Sequence, residues 1–66
     1  MNIFLNGARS DCGEARTVQE VIERRHLSAA TTLVELNGEA LHRREWPARP
    51  LQEDDRIEIL RVAAGG

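Results

Sequence analysis

The chain has 66 residues, 41% of them hydrophobic, and its nine basic residues, all arginine, are outnumbered by eleven acids for a formal net charge of −2. A domain this small buries only about 60% of the surface its unfolded form exposes, and with one Trp, one Phe and no Tyr it leaves little volume for an enclosed pocket, which argues against a self-sufficient enzyme. Arginines scattered among acids argue against nucleic acid, no apolar run is long enough for a membrane span or a signal peptide, and a single cysteine rules out an internal disulfide, so the expected setting is the reducing cytoplasm.

Met1 to Leu5 is an apolar run closed by Asn6-Gly7, a dipeptide that signals a two-residue hairpin turn because both central positions need positive φ. A more polar second strand, nearer a sheet edge, runs from Ala8 to Cys12 and is broken by Gly13. Thr17-Val18-Gln19-Glu20 has the form of a capping box and predicts a helix. Its inner face is Val18, Val21, Ile22 and the stem of Arg25, and it fades near His26 and Leu27. Leu33 to Leu36 reads as a strand, Asn37-Gly38 repeats the hairpin signal, and Glu39 to Leu41 returns. Arg43 to Pro47, with Pro50 close behind, predicts a loop with one helical turn, from which Trp46 and Leu51 cover the end of the core. Glu53-Asp54-Asp55 is a charged turn. Arg56 to Val62 then alternates Ile57 and Ile59 against Glu58, Leu60 and Val62, a final strand that feeds Ala63-Ala64-Gly65-Gly66.

That tail is the expected working part. Gly65 and Gly66 lack a Cβ, so an extended tail can pass through a channel too narrow for other residues, and from Ala63 to Gly66 it reaches about 13 Å. The carboxylate it would deliver is ionised at neutral pH and is a poor acyl donor until activated, most simply as an acyl-adenylate made from ATP. The chain has no glycine-rich phosphate loop with a lysine, so it binds no cofactor itself and a partner must use the ATP. The absence of lysine also argues against a modifier that builds chains on itself, though not against one attached to other proteins.

Other reactive residue types read as ordinary. Cys12 has Asp11 beside it, which opposes a thiolate, so it is a strand residue with no redox duty. His26 and His42 lack the paired ligands of a zinc site and are surface histidines. Asp54 and Asp55 are ionised, solvated turn residues, not an acid/base couple.

The element order, with its short turns, predicts an α+β domain over residues 1–66: a sheet of four to five strands, one helix across one face, and 63–66 as a flexible reactive tail. At this point the chain resembles the ubiquitin-like β-grasp family, in which the first and last strands pair in parallel at the centre of a mixed sheet. Asn37-Gly38, Leu41, Arg43, Trp46, Leu51, Asp55, Ile57-Glu58-Ile59 and the closing Val62-Ala63-Ala64-Gly65-Gly66 narrow the resemblance to the ThiS family of small sulfur carriers in bacterial thiamine synthesis. His42 departs from a frequent proline of that family, and Asp54 from a frequent glycine. The resemblance implies an E1-like, ThiF-like adenylyltransferase that adenylates Gly66, and a relay from a cysteine desulfurase that converts the adenylate to a thiocarboxylate. A ThiG-like thiazole synthase then receives the sulfur. A MoaD-like carrier for molybdopterin synthesis and a ubiquitin-like protein modifier are the alternatives. If the first and last strands are neighbours, Ile3, Leu5, Ile57 and Ile59 face the helix, while Phe4, Leu60 and Val62 form an apolar patch for partners on the opposite face.

Overall fold

Two Asn-Gly turns set the strand registers in the computed structural model, which describes residues 1–63. Asn6 and Gly7 have φ of 50° and 84°, and Asn37 and Gly38 have 52° and 83°, the left-handed pairs that tight hairpins with the native twist require. A Cβ on Gly7 or Gly38 would meet nothing, so glycine is needed there for its φ alone. The first turn joins β1 (Asn2–Leu5) to β2 (Ala8–Asp11), and the second joins β3 (Thr32–Leu36) to β4 (Glu39–Leu41).

The last strand, β5 (Arg56–Arg61), lies between the two hairpins, giving a five-stranded sheet in the order β2-β1-β5-β3-β4. It runs parallel to β1, with Phe4 beside Arg56 and Leu5 beside Ile57, and antiparallel to β3 from Thr32↔Arg61 to Leu36↔Ile57. The mixed α+β sheet with parallel first and last strands at its centre is the expected architecture, and β2 is at the edge as expected.

The helix α1 (Val18–Arg24) starts where Thr17, in extended conformation, accepts the Glu20 amide on its hydroxyl at 3.2 Å. The Glu20 carboxylate reaches back to the Arg16 amide at 3.2 Å, one residue earlier than a capping box would place it. It ends at His26, held at φ 56°, with the His26 amide on the Glu23 carbonyl and the Leu27 amide on the Ile22 carbonyl at 3.0 and 3.2 Å. This is the Schellman stop, made here without glycine. Arg25, expected to lay its stem on the inner face, is exposed because it is the C-cap where the chain leaves the helix, and half-buried Leu27 packs against the core instead.

Val18, Val21 and Ile22 of α1 bury against Ile3, Val34, Leu36 and Ile57 of the sheet. The segment Arg43–Ala48 is a six-residue 3-10 helix, longer than the single turn expected, begun where the His42 amide donates to Glu45 Oε2 at 3.1 Å. It drives Trp46 to 1% exposure, and Trp46 closes the end of the core with Leu41 and Leu51, as its position in the sequence implied.

Candidate functional site

The C-terminal segment expected to react follows β5 in sequence, so how β5 is held decides what that segment is anchored to. Asn37 donates its amide to the Arg56 carbonyl at 2.7 Å and Val62 donates its amide to the Thr31 carbonyl at 2.9 Å. In the antiparallel register with β3, the even-numbered residues of β5 therefore form the hydrogen-bonded pairs, and the odd-numbered ones turn their amides and carbonyls toward β1.

On that side β1 supplies little backbone, because its chain turns away at Asn6. The Asn6 amide donates to the Ile57 carbonyl at 2.9 Å. Its side chain then acts as one further rung, with Oδ1 accepting the Ile59 amide at 2.7 Å and Nδ2 donating to the Ile59 carbonyl at 3.3 Å. Across the strand, Asn37 Oδ1 accepts the Arg56 amide at 2.8 Å and Nδ2 donates to Asp55 at 3.0 Å. The asparagines that open the hairpins thus clamp β5 from both sides.

Asp54 and Asp55 belong to this anchoring. Asp55 accepts the Gln52 amide at 2.8 Å, and Asp54, at φ 70°, faces the Arg9 guanidinium at 3.4 Å and donates its own amide to the Asn2 carbonyl at 2.8 Å. They form a structural turn. His26 and His42 are exposed, and among the described residues no group of three His, Cys, Asp or Glu can hold a metal ion. Cys12 is 9% exposed and donates its thiol to the Met1 carbonyl at 3.2 Å. It lines an open cleft of about 400 Å³ with Asp11, Arg24 and Arg25. Among the described residues, no helix is long and apolar enough to cross a membrane.

The outer face of the sheet divides the expected trio of Phe4, Leu60 and Val62. All three face away from α1, but Phe4 sits beside Arg56, four residues and about 13 Å along β5 from Leu60. It is half-buried, with the Arg56 and Arg9 guanidinium carbons 4.5 and 5.1 Å from its ring centroid. The neighbour that Leu60 does have is Leu33, directly opposite on β3. Leu33, Leu60 and Val62 are 53, 55 and 44% exposed and form one apolar patch where β5 leaves the sheet. Sequence reasoning missed Leu33 because its place depends on the β3 to β5 register, which no local pattern specifies. Of the expected tail, Ala63 is exposed at the end of this patch, and Ala64, Gly65 and Gly66 lie outside the described residues.

The model of the ThiS family matches residues 3–66. The chain is 29% identical over 66 residues to the sulfur carrier protein ThiS of Escherichia coli, covering all of both chains. It is 34% identical over 64 residues to the sulfur carrier protein ThiS of Thermus thermophilus, covering 97% of this chain and 98% of that one. The crystal structure of the thiamine biosynthesis protein ThiS from Geobacter metallireducens superposes with a TM-score of 0.80 at 33% identity, with full coverage of both chains. The solution structure of a Geobacter metallireducens thiamine biosynthesis protein gives 0.79 at 33% identity, with 100% of this chain and 88% of that one covered.

Proposed function

This chain belongs to the ThiS family of sulfur carrier proteins, and from that premise we propose that Gly66 is the residue that carries the sulfur. The observation that carries this reading is that the family match runs through Gly66, five residues in sequence beyond a strand clamped into the middle of the sheet. In this mechanism the Gly66 carboxylate attacks the α-phosphorus of ATP on an E1-like, ThiF-like enzyme, releasing pyrophosphate and leaving an acyl-adenylate. A persulfide relayed from a cysteine desulfurase displaces AMP to give an acyl disulfide, a partner thiol cleaves it to the thiocarboxylate and is itself left in a disulfide, and the thiocarboxylate donates its sulfur to a ThiG-like thiazole synthase in the cytoplasm. The carrier is a co-substrate. Its share of the work is to hold the domain against the partner while Ala63 to Gly66 extend into the partner's site.

Intact mass spectrometry tests this directly. Incubated with its ThiF-like enzyme, ATP and a sulfur source, the protein gains the mass difference of one oxygen replaced by sulfur, located at Gly66. Recovery of Gly66 joined to lysines of other proteins, with no thiocarboxylate, gives the modifier reading instead. Transfer to a molybdopterin precursor, with none to thiazole synthase, moves the carrier to that other pathway.

The patch beside the tail gives a second expectation. Leu60 is 55% exposed and opposite Leu33, so Leu60→Glu removes no core contact and leaves the melting temperature within a few degrees. A charge set into an apolar contact nevertheless weakens binding to the adenylating enzyme by about tenfold or more. Unchanged affinity in isothermal titration removes the patch from the mechanism.

A further inference from the structure

The β1 side of β5 is left unfinished above Ile59. Arg61 follows the same alternation as Ile57 and Ile59, so its amide and carbonyl point toward β1. There β1 has already turned at Asn6-Gly7, and among the described residues these two groups meet no partner. The gap is a short open edge inside the sheet, between the Asn6 side chain and the start of the tail. The domain fills one rung of it with that side chain, at 2.7 and 3.3 Å from Ile59, and leaves the next rung open. The residues on either side of the open rung, Leu60 and Val62, point to the outer face and are 55 and 44% exposed.

We propose that this open edge is where an extended segment of the adenylating enzyme adds to the sheet, pairing its backbone with Arg61. The inference rests on the sulfur-carrier reading for the partner's identity. The chemistry of the occupant follows from the edge itself. An added strand meets the Arg61 amide and carbonyl with main-chain groups. Its alternate side chains emerge on the outer face beside Leu60 and Val62, so apolar residues at alternate positions fit. The ladder continues that of β1 with β5, in line with the Asn6 rung. Main-chain pairing here fixes the direction in which the following residues run, something a patch of exposed side chains alone does not do.

The test separates backbone from side chain at one residue. Arg61→Ala keeps the amide and binds the adenylating enzyme like the wild type. Arg61→Pro removes the amide without taking a hydrogen bond from the β3 ladder, because that amide faces the open edge, and it lowers affinity by about tenfold. Where the proline variant does not fold, a chemically synthesised chain with an ester in place of the Leu60–Arg61 amide removes the same N–H at unchanged shape. In a separate readout, hydrogen exchange at the Arg61 amide is fast in the free protein and slows at least about tenfold in the complex.

Wild-type affinity in the proline or ester form, or an unprotected Arg61 amide in a formed complex, overturns the inference while leaving the carrier reading intact. Equal losses for alanine and proline overturn it in favour of a guanidinium contact. Protection that grows with the concentration of the free protein means that a second copy takes the edge. Failure of the wild type to bind the adenylating enzyme at all overturns the carrier reading and this inference with it.

Discussion

Extension of the chain by a single residue beyond Gly66 reduces thiocarboxylate formation below detection. The added residue moves the terminal carboxylate by about 3.3 to 3.6 Å, and at reacting distance even about 1 Å of misplacement costs on the order of a hundredfold in rate. It also turns the former carboxylate into an amide, which has no anionic oxygen to attack the phosphorus. The body of the domain is unaffected, because β5 and the Leu33, Leu60 and Val62 patch precede the change. The extended protein therefore binds the adenylating enzyme and competes with the wild type. Intact mass before and after incubation with enzyme, ATP and sulfur source checks this. A sulfur-loaded extended form that has not been trimmed would show that the reacting group is not the carboxylate of Gly66.

Asn6→Ala has the largest expected effect on stability outside the core. Two side-chain hydrogen bonds to Ile59 are lost, and alanine must adopt φ 50°, a conformation that asparagine tolerates better. With hydrogen bonds at about 0.5 to 1 kcal/mol each and the left-handed backbone at about 1 kcal/mol, the loss is about 2 to 3 kcal/mol. A domain of this size has on the order of 3 to 10 kcal/mol in total, so the melting temperature drops by about 10 to 20 °C. Asn6→Gly separates the two contributions, because glycine accepts the turn and lacks the clamp. Urea denaturation should place it between the wild type and alanine. A glycine variant as stable as the wild type would mean that the rung to Ile59 contributes nothing.

The same asparagine shows what was legible in the sequence. Asn-Gly announces a hairpin because the turn's backbone demand is local, and Thr17 announces a helix start for the same reason. Alternation along residues 56–62 told the faces of β5 apart because its period is a property of any strand. The second duty of Asn6 and Asn37, reaching across to Ile59 and Arg56, was not legible, since it depends on a strand about 20 to 50 residues away in sequence. The adjacency of Leu33 and Leu60 was hidden for that reason too.

The helix stop at His26 carried no glycine to signal it. The two departures from the family pattern are instructive in the same terms. Asp54 occupies φ 70°, which glycine meets freely and aspartate can adopt, and His42 has φ −72°, within the range of proline. Both positions therefore adopt a backbone that glycine or proline would also accept. At position 42 the change supplies an amide that proline lacks, and Glu45 accepts it.

The centre of the sheet is assembled from opposite ends of the polypeptide, with Phe4 beside Arg56. During synthesis, a nascent chain that stops short of β5 has two hairpins and a helix but no strand to join them, and most of its apolar surface has nothing to close on. Closure waits for the most distant contacts, which makes folding slower than the size of the domain suggests. Nearly the whole path to the tail must therefore be translated before the domain can close. A chain cut short before β5 lacks the strand that joins the hairpins and, with it, Leu60 and Val62 of the outer patch, so a truncated product cannot present that surface.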